Sequence, residues 1–141
     1  MGEPAASSAA WDGDLLHLAL VGRLTAGDID LVAGALDRAG GRRFGVVLDR
    51  RLLGAPTAEG RAALERWAAE ELPAHVPAIA AWADVLDARR SHSLTRQGGE
   101  DGHGPGYPQR TFADHDAAVA WVRAALDAGT AQRPQVPQKV T

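Results

Sequence analysis

The stretch VVLDRRLLGAPTAEGRAALERW, from Val46 to Trp67, decides how this chain folds. With Phe44 and Gly45 before it, the stretch opens as FGVVLD, a short apolar run without alternation that ends at Asp49. Such a run reads as a central strand covered on both faces. Arg50 and Arg51 then open a loop, and Pro56 keeps Ala55 out of the helical region and fixes the approach to the next element. Thr57 stands where a helix N-cap is expected, because its hydroxyl can accept from a free backbone N–H of the first turn. A strand, a charged loop and a capped helix make half of a βαβ unit, which implies parallel strand pairs.

Upstream, LLHLALV (Leu15–Val21) reads as a strand, and Asp12-Gly13 before it is a hairpin signal with Trp11 on a short incoming arm. Thr25 and Asp28 resemble a capping pair, with Asp in place of the usual Glu. Ile29, Val32, Ala33 and Leu36 then share one helical stripe, and Gly40-Gly41 stops that helix. Downstream, the helix from Thr57 carries Leu64, Trp67, Ala68 and Leu72 as its expected buried stripe and ends at Pro73. VPAIAAW (Val76–Trp82) reads as the next strand, with Pro77 near its start, where a missing donor costs least. VLDARRSHSLTRQ (Val85–Gln97) reads as a third helix. Gly98–Pro108 carries 5 glycines and 2 prolines and is expected to be a mobile loop. QRTF is a short strand. Asp114 caps a last helix whose Ala118, Val119, Val122, Ala125 and Leu126 face inward, with Trp121 beside them.

The expected class is therefore α/β, a mixed sheet of four or five strands with about four helices and no internal repeat. The expected domain spans residues 11–127, with residues 1–10 and 128–141 as disordered tails, since neither end has the apolar residues to offset ordering entropy.

Composition narrows the function classes. The chain has 141 residues, a net charge of −3 and no cysteine. That length suits one domain with a single core. The near-neutral, slightly acidic balance gives no electrostatic footprint for nucleic acid or an anionic membrane surface. The lack of cysteine excludes disulfides, thiolate metal sites and a cysteine nucleophile. No apolar run reaches the ~20 residues of a membrane span. MGEPAASSAA lacks the basic and apolar regions of a secretory signal, so the expectation is a cytoplasmic protein.

Four features together resemble the STAS-like fold, in its SpoIIAA-like or STAS/SEC14 branch. They are DGDLLHLALVGRLTAGDID, a hairpin strand running into Gly22-Arg23-Leu24-Thr25 and a helix; FGVVLDRR, a strand ending in Asp49; TAEGRAALERW after Ala-Pro; and YPQRTFADHDAAVAWV, a short strand and capped helix. The resemblance covers about Trp11 to Leu126 and is architectural. Sporulation-type anti-sigma-factor antagonists carry an Asp-Ser-Gly-like signature at the start of the second helix, with a phosphorylated serine. Here that position reads GAPTAEG, with Thr57 as the hydroxyl at the junction and no Asp-Ser pair. The resemblance implies a regulatory or binding role.

Each candidate site has an ordinary reading beside a functional one. Thr57 is an N-cap, or an anion-binding or phosphorylation site at a helix N-terminus with Arg50 and Arg51 as partners. Asp49, at the carboxyl end of a strand, sits where α/β sheets place ligand groups, or it simply pairs with a neighbouring arginine. Arg89, Arg90 and Arg96 fall near one helical face, which is a solvated face or a landing site for an acidic partner. The histidines, His17, His75, His92, His103 and His115, show no ligand-type spacing, so neither a metal nor an organic cofactor is expected. His17 alternates with Leu16 and Leu18 and faces the opposite side from them.

Two functions fit these residues. One is a non-catalytic regulatory or binding module acting through a protein partner or by sensing a small-molecule ligand. The other is a small cofactor-free enzyme using Asp49, an arginine and His92 or His103 as acid/base groups. The absence of a nucleophile–base motif favours the first. Oligomeric state has no signature in the sequence.

Overall fold

The computed structural model describes residues 6–87 and 106–132. Five strands form one sheet in sequential order: β1 (Ser8–Asp12), β2 (Leu15–Ala19), β3 (Phe44–Asp49), β4 (Ile79–Val85) and β5 (Gln109–Phe112). The β1–β2 pair is antiparallel and the other three pairs are parallel. The helices of the described residues are α1 (Ala26–Asp37), α2 (Ala58–Glu70), the single turn α3 (Leu72–His75) and α4 (His115–Gln132). The class and the mixed sheet are those the sequence implies, and FGVVLD is the middle strand, with Val46 and Val47 fully buried.

The two faces of the sheet bury different groups. Leu16, Leu18, Phe44, Val46 and Trp82 point toward α1 and α2 and pack with Ile29, Leu36 and Trp67. Leu15, Val47, Ala81, Ala83 and Val85 point toward α4 and meet Ala118 and Val122. The second interface is built from small residues. A Cβ on Gly45 would lie 2.2 Å from Val122 Cγ1, so glycine there lets α4 lie down on the sheet. Each large side chain fully buried in these layers contributes about 1.5–3 kcal/mol.

Several boundaries move for physical reasons. The β1 strand takes in Ser8, Ala9 and Ala10, which composition places in the tail. Main-chain pairing with β2 orders them, and Trp11 anchors the arm through Nε1 to the Ala35 carbonyl at 3.2 Å and edge-on contact with Phe44. At the other end, α4 runs through Gln132, past the expected boundary at 127. The hairpin turn is Gly13-Asp14, with Gly13 at φ +64°, as a turn with a left-handed first residue requires.

The strand expected over Val76–Trp82 starts instead at Ile79 and continues to Val85. Pro77 cannot donate to a ladder, so Val76–Ala78 closes as a 3₁₀ turn ahead of it. Val85 therefore ends a strand rather than starting a helix, Leu86 and Asp87 are not helical, and residues 88–97 of the expected helix lie outside the described residues. So does most of the expected loop, residues 98–105. Its end is not loose: Tyr107 is buried and stacks on Trp82, and the Pro108 carbonyl accepts from Trp82 N at 2.9 Å. The buried stripe of α2 is Gly60, Ala63 and Trp67, and Leu64 is 38% exposed. Gly60 sets that phase, because a Cβ there would fall 2.0 Å from the Leu24 carbonyl oxygen.

Candidate functional site

The junction that opens α2 is zipped onto the loop after β2. Gly22 N donates to Leu52 O at 3.0 Å, Gly54 N to Gly22 O at 2.8 Å, and Thr57 N to Leu24 O at 2.9 Å. Arg23 adds Nη2 to Pro56 O at 2.9 Å and Nε to Ala55 O at 3.3 Å. Thr57 is the N-cap: its hydroxyl accepts from Gly60 N at 2.9 Å and donates to Leu24 O at 3.2 Å. Thr25 and Asp28 form the reciprocal capping box of α1. The glycine-arginine-leucine-threonine segment and the GAPT segment are thus one structural clasp.

Asp49 is taken up locally. Arg51 donates to it from Nε at 3.0 Å, Nη2 at 2.8 Å and its backbone N at 3.0 Å. Burial of Asp49 works against its charge, but the hydrogen bonds and charge of Arg51 outweigh this and hold the carboxyl below its ordinary value. Arg50 turns to the other face of the sheet, with Nη1 3.8 Å from Asp84 Oδ1. The structure therefore ties Thr57 to Leu24 and Gly60, Arg51 to Asp49, and Arg50 to Asp84, a carboxylate outside the expected site residues.

Asp84 is 5% exposed, the one buried charged residue among those described. It lies on the α1/α2 face of β4, one pleat beyond Trp82. Gln109 Nε2 donates to its Oδ2 at 3.0 Å and Trp82 Nε1 to its Oδ1 at 3.3 Å. Burial pushes its carboxyl up, against the pull of Gln109, Arg50 and Trp82. Next to it, burial and the Asp84 charge push the Tyr107 hydroxyl up to about 12.

These groups form one end of a cavity of about 270 Å³ between the sheet and α2. Leu20, Leu48, Trp67 and Leu72 supply apolar wall, and Leu64 and Ala68, both exposed, stand at its rim. The cavity lies toward the carboxyl ends of β2, β3 and β4, the end at which open α/β sheets take ligands. Trp67 Nε1 is buried beside it without a hydrogen-bond partner among the described residues. A signal for Asp84 exists in the sequence: an acid inside the otherwise apolar AIAAWADVL must find partners when the strand is buried.

The remaining candidates fall elsewhere. His17 stacks on His115 at 6.0 Å, on the α4 face. Burial and the neighbouring His115 hold His17 below its ordinary value, with Asp12 opposing and Arg123 reinforcing. His75 Nε2 lies 3.3 Å from Asp37 Oδ1. Arg89, Arg90, Arg96, His92 and His103 lie outside the described residues. Among the described residues no group of three His, Asp or Glu side chains is placed to hold a metal, and no helix is long and apolar enough to cross a membrane. A larger cleft of about 530 Å³ sits at the opposite end of the sheet, between Asp12, Asp14, Arg42 and Arg123. Four of its charges pair with one another, Arg42 with Asp14 at 2.8 Å and Arg123 with Asp12 at 2.7 Å, and Arg43 donates to the Ala125 and Leu126 carbonyls.

No protein-family model matches the chain, and no curated protein sequence does. Among solved structures, it is similar to the crystal structure of an uncharacterized protein from the DUF3478 family with a SpoIIAA-like fold, from Shewanella loihica. The two share 16% identity at a TM-score of 0.57, over 86% of this chain and 98% of the other. Identity that low speaks for architecture alone, and the architecture agrees with the strand order and helix placement described above: the fold of this chain is SpoIIAA-like.

Proposed function

We propose that the chain is a non-catalytic binding module of the STAS-like kind, which takes a small, mostly apolar ligand in the cavity between the sheet and α2. The observation that carries this reading is Asp84. A carboxylate 5% exposed is costly to bury, yet it is kept at the end of an apolar cavity beside Arg50. Apolar walls with a few convergent polar groups are the usual make-up of a small-molecule site. The acid–base alternative has less support, because Arg51 holds both oxygens of Asp49.

Nuclear magnetic resonance tests the reading. A library of small apolar compounds is added to ¹⁵N-labelled protein, and shifts are mapped. Binders should perturb Trp82, Asp84 and Gln109 together, and Ala68→Trp, which fills the rim, should abolish those shifts. Perturbations confined to other surfaces, or unaffected by Ala68→Trp, would refute it. A protein partner is the second reading, supported by Leu52 and Leu64, which are 42% and 38% exposed. Leu64 stands on the cavity rim, so a partner there would cover its mouth.

A further inference from the structure

The cavity's polar end has a definite hydrogen-bonding character. A carboxylate offers about four acceptor positions, and Asp84 fills two of them with the protein's own donors, Gln109 at 3.0 Å and Trp82 at a long 3.3 Å. Arg50 is within ion-pair reach at 3.8 Å, too far for a hydrogen bond, and its side chain is one-third exposed. The wall therefore presents an acceptor with spare capacity beside a guanidinium whose donors point to no close partner among the described residues.

Charge balance narrows the ligand. Asp84 and Arg50 are of opposite sign and close together, so the polar end is near neutral as a unit. A ligand bringing its own charge would have to be desolvated with no free counter-charge waiting for it. A neutral group that can both donate and accept meets both partners without that penalty. Of the rest of the cavity, Leu20, Leu48 and Leu72 offer only apolar contact, and the buried Trp67 indole N–H lies beside them without a hydrogen-bond partner among the described residues.

We propose that the cavity selects a neutral, compact amphiphile whose single polar end, a hydroxyl or carboxamide, donates to Asp84 and accepts from Arg50. This rests on the ligand-binding reading above and adds the chemistry of recognition. Selectivity comes from the carboxylate: an analogue of the same shape without the donor leaves Asp84 short of a partner and must still strip water from it.

Three probes of similar size test this: 4-propylphenol, which donates and accepts; 4-propylanisole, which only accepts; and propylbenzene, which does neither. Dissociation constants are read from the Trp82 indole resonance. The phenol should bind wild type about tenfold more tightly than the anisole, the factor expected for one hydrogen bond to a charged acceptor. In Asp84→Ala that preference should shrink to less than about threefold, while propylbenzene affinity holds or improves. Equal binding of phenol and anisole to wild type overturns the donor recognition and leaves the cavity reading standing. Binding of none of the three at the cavity overturns both. If Asp84→Ala fails to fold, as circular dichroism would reveal, the wild-type comparison decides alone, and Arg50→Gln serves as the second variant. In it the phenol-over-anisole preference should persist, because the donor contact is to Asp84; its loss there would overturn the assignment.

Discussion

At Thr57 both halves of one hydroxyl are used: it accepts from Gly60 N and donates to the Leu24 carbonyl. A cap alone would tolerate aspartate, since the carboxylate also accepts and the helix start favours negative charge. The second bond changes that expectation, because a carboxylate has no proton to give Leu24 and would face its oxygen. Thr57→Ser should therefore lie within about 0.5 kcal/mol of wild type. Thr57→Ala should lose about 1–2 kcal/mol, and Thr57→Asp should fall near alanine rather than near serine. Urea unfolding with a constant slope measures the series. An aspartate form as stable as serine would mean that the Leu24 bond contributes nothing. Thr57 is legible in the sequence as a cap because the signal is local. Asp84 is not legible as a site, because its meaning depends on Arg50 and Gln109, which are distant in sequence and meet it only once β3, β4 and β5 are paired.

At the level of elements, the closeness of α4 to the sheet rests on Gly45 facing Val122. An alanine at 45 would place its Cβ inside the Val122 side chain, 2.2 Å from Cγ1. Gly45→Ala should cost about 2–3 kcal/mol through overpacking, and Val122→Ala about 2 kcal/mol through the cavity it leaves. Together they should cost less than the sum, by about 0.5–3 kcal/mol, because the second change makes room for the first. Strict additivity in a double-mutant cycle would show that α4 shifts away instead. FGVVLD is readable because a strand buried on both faces needs no partner to identify it. Periodicity puts Leu64 on the α2 stripe where the structure has Ala63, because it fixes the width of an apolar face but not its phase. Contact of Gly60 with the Leu24 backbone decides the phase. Likewise Tyr107 sits among glycines and prolines, and only its stacking on Trp82 makes that end of the segment part of the core.

For the molecule as a whole, two titrations of opposite sign, of the half-buried His17 and the buried Asp84, shape stability against pH. His17 has a folded value below the ordinary 6.5. Below 6.5 the unfolded chain therefore binds a proton that the folded chain resists, so stability is lost as pH falls through that window. Asp84 has a folded value above the ordinary 3.8. Between 3.8 and that higher value the folded chain holds a proton that the unfolded chain has released. Its contribution is thus favourable below 3.8 and is lost as pH rises through the folded value. Substituting each group isolates its slope together with that of the groups it touches, because the remaining titrations cancel in the difference from wild type. His17→Gln should lose less melting temperature than wild type between about pH 7 and pH 5. Asp84→Asn should behave in the opposite sense. Its melting temperature relative to wild type should climb as pH rises from about 3 upward and level off once Asp84 has ionised in the folded protein. Arg50, one-third exposed, can turn to water when its partner is neutral, and the Gln109 amide can rotate to meet the asparagine. A difference that stays flat from about pH 3 to pH 7 would mean that Asp84 titrates alike in both states. The carboxylate would then be as well solvated in the folded chain as in the open one, and its place at the end of the cavity would carry no electrostatic cost for a ligand to relieve.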